Sequence, residues 1–576
     1  MPRSTTTALL AALLLAAPAG AAPPPAAPFV DRAAEWGLVF RYDNGATGQL
    51  YYPEIVGGGA ALFDFDGDGD LDVFFVQGAV LEPEKAAAHP ITPSGGRLFR
   101  NDLGTGGTPH FVDVTAASGI EARGYGMGVA AGDFDNDGRV DLYLLNFGSN
   151  QLWRNEGNGK FSDVTKAAEA DDPRMSLSAS FADLDGDGWL DLYVVDYVDF
   201  AVDRNVVCYA ASSRRDYCGP SSFPATPDRL LHNRGGGKFE DASQRAGIAG
   251  KAGRGMGIVV ADFDGDGRPD VFVANDGMEN FLWRNRGNLA FEEIALPAGV
   301  AVNGDGRVQA NMGVTAADYD DDGDVDLFVT HLHGETNTLW TNLSDGREGG
   351  MFEDRTAAAG LAAPSLPFTG FGTGWIDSDN DGRLDLLAVN GAVRLIDEQA
   401  RRGDPFPYAE THQMFRNVGG GRFTDVSREM GEPFQRAEVG RGAAFGDVDN
   451  DGDTDVLIVT ANGPARLLIN EVGSRAPWLG LRLVGRPPGA KGERDLPGAL
   501  ATVARKGGST LRRRAATDGS YASASDPRVL VGLGDAPDVT EVRVTWPDGS
   551  IEIFPPPPLR TYTTLVEGTG KAAAAK

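Results

Sequence analysis

The pattern D-x-D-x-D-G-x-x-D occurs seven times along 576 residues. Its aspartates are Asp64, Asp66, Asp68 and Asp72; Asp133, Asp135, Asp137 and Asp141; Asp183, Asp185, Asp187 and Asp191; Asp262, Asp264, Asp266 and Asp270; Asp318, Asp320, Asp322 and Asp326; Asp377, Asp379, Asp381 and Asp385; and Asp447, Asp449, Asp451 and Asp455. One copy would read as a turn, since Asp and Gly favour turns. Seven copies with fixed spacing do not. They recur every 50 to 79 residues, a period that gives a propeller, a solenoid or an array.

Each copy sits between two apolar runs. A Gly-rich stretch such as "GMGVAAGDF" (126–134) precedes the loop, and a run such as "LYLL" or "VFVA" follows it. Short apolar runs bounded by turn residues read as buried strands. A third element ends at Asn101, Asn155, Asn233, Asn285, Asn342, Asn417 or Asn470. A fourth begins with Phe-x-Asp/Glu at Phe29, Phe111, Phe161, Phe239, Phe291, Phe352 or Phe423. Four strands per repeat is the content of a propeller blade. The fourth-strand signature precedes the first loop and is missing after the seventh. The sequence therefore predicts an all-β, seven-bladed propeller over 28–473, with Phe29–Ala33 supplying the outer strand of the last blade.

Two carboxylates about 4 Å apart repel by about 4 kcal/mol at an effective dielectric near 20. Four within nine residues need a cation. Only hard oxygen donors are present in the motif, which selects calcium over zinc or copper. An EF-hand would need a Glu at position 12; here that position holds strand residues such as Phe75 and Leu144. The expected cofactor is Ca2+, up to seven ions, with a backbone carbonyl at the variable seventh position.

The chain carries 82 acids and 52 bases, a net charge of −30. That argues against a nucleic-acid partner, because phosphate binding wants basic surface. Residues 1–21 read as a signal peptide: a basic start, the run "ALLAALLLAA" and a small-residue "AGA". No transmembrane segment is expected in the mature chain. The expected location is periplasmic, cell-surface or secreted. In that setting the close pair Cys208 and Cys218 reads as a disulfide rather than a metal site.

With these motifs in hand, the chain resembles the FG-GAP/VCBS-repeat proteins of the cartilage acidic protein family. The seven loops are similar to the calcium loops of integrin α-subunit propellers. The stretch "DYVDF…VCYAASSRRDYCGPSSF" (196–223) resembles that family's two-cysteine insertion, here bounded at 196–228. "WLGLRLVG" (478–485), "GALATV" (498–503), "VGLG" (531–534) and "VTWPDGS" (544–550) resemble the ASPIC/UnbV domain. The resemblance implies a calcium propeller in an extracellular setting and no particular reaction.

The final segment differs in composition. Residues 476–576 hold 14 bases and 10 acids, while the rest of the chain stands at −34. Alternating segments such as "EVRVTW" predict a small β-domain over 476–568 beside the ring, followed by a mobile tail, 569–576. The basic run "RKGGSTLRRR" (505–514) is either an anion or polysaccharide contact or a turn packed on the acidic propeller; the second is favoured. The sequence holds no G-x-S-x-G, H-E-x-x-H or phosphate loop. "HLHGE", with His331, His333 and Glu335, is the best candidate for chemistry, and a blade-top polar contact is its simpler reading. The favoured function is an exported binding, adhesion or scaffolding module, not an enzyme. Its expected partner is an extracellular protein or a glycan, and the chain is expected to be monomeric. The alternative is a polysaccharide lyase-like enzyme on the same propeller, which would converge Lys, Arg, His or Tyr in the central channel.

Overall fold

A computed structural model describes residues 27–86, 95–104, 107–344 and 350–573. The expected signal segment lies outside them. Among the described residues, seven antiparallel sheets of four strands carry the seven aspartate loops, each loop joining the first strand of its sheet to the second. One sheet gains a short extra strand, Gln309–Ala310. We number these sheets blades 1 to 7 in the order of their loops. The first strands are Ala60–Phe63, Tyr125–Gly132, Ser176–Ala182, Gly255–Ala261, Val314–Ala317, Gly370–Ile376 and Gly440–Gly446. Each packs beside the next, and the seventh returns to the first, so the ring is closed.

The outer strand of blade 7 is Phe29–Asp31, which pairs with Arg466–Asn470. Phe29 stands opposite Asn470, the same register as Phe111 opposite Asn101 and Phe423 opposite Asn417. The N-terminal strand thus occupies the place its Phe-x-Asp signature assigns to it. Phe29 is fully buried and its ring lies 5.7 Å from that of Phe434. Closure by the distant end leaves no open sheet gap in the ring.

Between blades the packing is apolar on both faces of each sheet. Runs such as Val73–Phe75 and Val271–Ala274 are completely buried. The second residue of a loop packs on the outer-strand Phe of the next blade: Phe65 on Phe161 at 6.0 Å, Phe134 on Phe239 at 5.8 Å and Tyr319 on Phe423 at 5.7 Å.

The C-terminal unit has two sheets. One is built on Trp478–Gly485, with Val529–Gly532 and Tyr562–Val566 beside it; the other holds Leu500–Arg505, Leu511–Arg514, Val539–Thr545 and Ile551–Phe554. Leu481, Val503, Val531, Val542 and Trp546 fill the space between them. Lys571–Ala572 pairs with the strand Ile551–Phe554. Within the expected mobile tail, 569–576, these two residues complete a sheet edge, and 574–576 lie outside the described residues.

The unit does not simply lie beside the ring. It covers the face that carries the aspartate loops, and its segment 518–526 enters the axis. There it meets the first strand of every blade. Ala524 exchanges backbone hydrogen bonds with Ala60 and Leu62, Val129 N–H donates to the Ala522 carbonyl, and Ser520 pairs with Val314. Ala522 N–H donates to Ser178 Oγ at 3.2 Å, and Val260 N–H to Asp518 Oδ2 at 2.7 Å. Thr373 N–H donates to Ser520 Oγ at 3.1 Å, and Phe445 N–H to Ser525 Oγ at 3.2 Å. The inner strands need these partners, because a buried backbone group without one is costly. The fit requires glycine: a Cβ on Gly59 would stand 1.8 Å from the Ala522 carbonyl oxygen. Tyr521 is fully buried at the centre, edge-on to Phe371 at 4.9 Å, with its hydroxyl donating to the Val56 carbonyl.

The opposite mouth is covered by the two-cysteine insert. Cys208 and Cys218 are joined, 2.06 Å between sulfurs. Asp216 accepts from Tyr408 Oη at 2.9 Å and from Leu395 N–H at 2.9 Å, and Tyr217 Oη donates to Glu54 at 3.0 Å. The insert of blade 3 thereby reaches segments of blades 1 and 6.

Candidate metal centres

Each loop is wound around its own carboxylates. The first aspartate accepts backbone N–H groups from within the loop: Asp64 from Gly67 at 2.7 Å and Gly69 at 3.0 Å, Asp133 from Asp137 at 3.0 Å and Gly138 at 2.8 Å. The fifth position accepts from the seventh, as in Asp68 from Asp70 and Asp187 from Trp189. The sixth-position glycines have φ between +85° and +109°, a region where a side chain is strained. The fourth position is also left-handed and holds Gly, Asn or Asp, the residues that tolerate it.

The ninth aspartate fixes the loop to its blade. Asp72, Asp141, Asp191, Asp270, Asp326, Asp385 and Asp455 are all buried. One oxygen of each accepts the N–H of the third-strand Asn, which ends that strand in five blades and lies two residues before its end in blades 2 and 6, at 2.7 to 2.9 Å. The other accepts the N–H of the loop's second residue, at 2.9 to 3.4 Å.

Carboxylate oxygens converge in these loops. One oxygen each from Asp64, Asp66 and Asp72 lie within 4.8 Å of one another, as do those of Asp133, Asp135 and Asp141, of Asp183, Asp185 and Asp187, and of Asp262, Asp264 and Asp270. Burial pushes their protonation upward: Asp133 to about 6, Asp385 to about 7 and Asp270 to about 8, opposed in each case by hydrogen bonds to the charged form. Asp135 Oδ1 and Asp318 Oδ1 are buried without a hydrogen-bond partner. In blade 7 the variable seventh position holds Asp453, which is fully buried, with Oδ1 unpartnered, Oδ2 accepting from Ser474 N–H at 2.8 Å, and its pKa raised by burial and by Asp451. The motif predicts only a backbone carbonyl at that position. Crowded, desolvated carboxylates with unused lone pairs are what a hard cation needs.

The third-strand Asn residues have a second role that sequence reading missed. Each side-chain amide donates to the carbonyl of the second loop residue in the preceding blade. Asn155 reaches Phe65 at 2.8 Å, Asn233 Phe134 at 2.8 Å, Asn285 Leu184 at 2.8 Å and Asn342 Phe263 at 2.9 Å. Asn417 reaches Tyr319 at 3.3 Å, Asn470 Ser378 at 2.9 Å and Asn101 Val448 at 3.2 Å, the last closing the circle. Recurrence of Asn at one place in seven repeats was the available signal.

The C-terminal unit supplies cations to the loop face. Arg512 Nη1 lies 3.3 Å from Asp318 Oδ2, Arg513 donates to the Gly382 carbonyl and Arg528 to the Asp447 carbonyl, while Tyr562 Oη donates to Asp447 Oδ2 at 2.9 Å. The basic run 505–514 thus packs on the acidic propeller. The "HLHGE" side chains are engaged separately. His331 is fully buried against Thr338, His333 Nδ1 faces the Pro367 carbonyl, and Glu335 accepts from Ala310 N–H.

Comparison with known proteins agrees with this architecture. The FG-GAP-like repeat matches residues 64–144, 133–194, 215–273, 262–329 and 318–388, and the ASPIC and UnbV domain matches 489–572. The chain is 25% identical over 533 residues to cartilage acidic protein 1 of Homo sapiens, covering 88% of this chain and 70% of that protein. It is 26% identical over 530 residues to the Xenopus tropicalis protein of the same name, covering 88% and 72%. Solved structures with a similar course include an Agrocybe aegerita lectin recognising non-reducing terminal N-acetylglucosamine, at 14% identity and TM-score 0.37 over 71% of this chain and 86% of that one. YCF48 bound to D1 peptide gives 10% identity and TM-score 0.40 over 79% and 100%. With over half its length matched by the repeat and its last unit by the second domain, the chain belongs to the FG-GAP-like repeat family and carries an ASPIC and UnbV domain at its C-terminal side.

Proposed function

We propose that this protein is an exported, calcium-stabilised binding or scaffolding module for an extracellular protein or glycan. The observation that carries the metal reading is repetition. All seven loops have the same ninth-aspartate anchoring, and their motif donors are oxygens alone. The first, third, fifth and ninth aspartates of each loop would hold the ion. When bound, calcium supplies the positive charge that lets these carboxylates stay ionised side by side. The disulfide supports an oxidising compartment. Among the described residues no helix is long and apolar enough to cross a membrane. Segment 518–526 supports binding over the lyase alternative, since it fills the axis where a base and acid would have to converge.

Native mass spectrometry with calcium, paired with thermal melts before and after EDTA, tests the reading. Up to seven ions and a melting temperature that falls on chelation and recovers with calcium are expected, because a ligand of the folded state alone stabilises it. An unchanged melt after verified metal removal would overturn it. Three ions or fewer would contradict the equivalence of the loops.

A further inference from the structure

The residue preceding the third-strand Asn differs among blades: Arg100, Arg154, His232, Arg284, Thr341, Arg416 and Ile469. Arg100 and Arg154 pair with Asp102 and Glu156, outside the motif, whereas in blade 4 the side chain reaches the aspartate loop, with Arg284 Nε 2.6 Å from Asp264 Oδ2. A guanidinium has only donors and cannot ligate a cation. An isoleucine has nothing to offer, and the Thr341 hydroxyl is shared with Tyr319 Oη at 3.0 Å.

In blade 3 the same position is His232, which is buried, with 6% of its surface exposed. Its Nδ1 lies 2.9 Å from Asp191 Oδ1 and 3.6 Å from Asp185 Oδ2. One ligand atom from each of the three residues falls within 4.8 Å of the other two, so an imidazole nitrogen joins two carboxylates in one cluster. Neutral imidazole has a lone pair, and it favours first-row transition ions over calcium.

We propose that the blade 3 loop is a distinct metal site, in which His232, Asp185 and Asp191 bind a divalent transition ion such as zinc in preference to calcium. This rests on the metal reading of the loops and adds a selectivity that the repeat motif itself lacks. His232 is the selectivity-determining residue, since the other six blades put arginine, threonine or isoleucine in its place.

The test uses metal-stripped full-length protein reloaded with excess calcium and then given one equivalent of Zn2+. Metal analysis after gel filtration is expected to show one retained zinc per chain. His232→Arg, which installs the side chain present in four other blades, is expected to bind zinc at least about tenfold more weakly, as loss of a metal-site partner does. Arg284→His, given two equivalents of Zn2+, is expected to retain a second zinc. With Cu2+ as the probe, the wild-type electron paramagnetic resonance spectrum should carry nitrogen hyperfine coupling that His232→Arg removes. Wild-type protein that holds calcium but no zinc, or zinc retained equally in His232→Arg, would overturn this proposal alone. Failure to hold either ion would instead sink the metal reading as a whole.

Discussion

Asn285→Ala isolates the contact between neighbouring blades. Asn285 is fully buried. Its amide donates to the Leu184 carbonyl at 2.8 Å and the Pro269 carbonyl at 3.0 Å, and its oxygen accepts from Gly287 N–H at 2.8 Å. Three hydrogen bonds at about 1 kcal/mol net each give a loss of about 3 kcal/mol. The entropy of unfolding is about 2.1 cal/mol/K per residue, so a cooperative unit of 576 residues has about 1.2 kcal/mol/K in all. The melting temperature should then fall by about 2.5 °C, read by differential scanning calorimetry in saturating calcium. Asn285→Asp keeps the size and the Gly287 contact but turns an acceptor toward two carbonyls, so its fall should be larger. Leu184 belongs to the blade 3 loop and Asn285 to blade 4, so both loops should hold metal more weakly. An alanine variant that melts with the wild type, or an aspartate variant no worse than alanine, would refute the bridging role.

Three further outcomes are expected. In metal-stripped protein, Asp270 near 8 and Asp385 near 7 bind protons in the folded state that the unfolded chain, near 4, has released. Stability should therefore fall as pH rises from about 4 to about 8, and calcium should flatten that slope; denaturant melts at pH 5 and pH 8 check the sign. Deleting residues 22–38 removes Phe29, whose burial alone is worth about 3–5 kcal/mol, and bares a strand edge, so light scattering should report aggregation; a stable monomer would mean the ring closes another way. Truncation before Trp478 should strip the inner strands of their axial partners and lower the melting temperature even in saturating calcium, whereas an unchanged melt would make segment 518–526 a passive occupant.

The ring and its loops were legible because repetition supplies its own control. Seven copies separate what varies from what does not, and the displaced Phe29 signature located the closing strand. The zinc-selective reading of His232 emerged only with coordinates, since "LLHN" differs from "LWRN" by side chains whose direction a sequence does not show. The axial segment was hidden for a different reason. "ATDGSYASASD" (516–526) is small and polar and reads as an ordinary loop. Its meaning lies in groups up to several hundred residues away, such as Ala60 and Val129. The Asn amides were unreadable for the same reason: Asn285 and Leu184 are 101 residues apart.

The axial segment also orders events in time. It is synthesised after all seven blades, so every inner strand waits with open backbone groups until the C-terminal unit emerges. The outer strand at Phe29 waits too, since its partner Asn470 comes 441 residues later. Loop-closure entropy for that span is about 5 kcal/mol by the logarithmic law, before its constant, and is recovered only when both ends dock. Maturation is therefore a late, nearly all-or-none event. A chain stalled or clipped before Ser520 would remain an unlocked ring, exposed to proteases and to other open edges, however complete its blades.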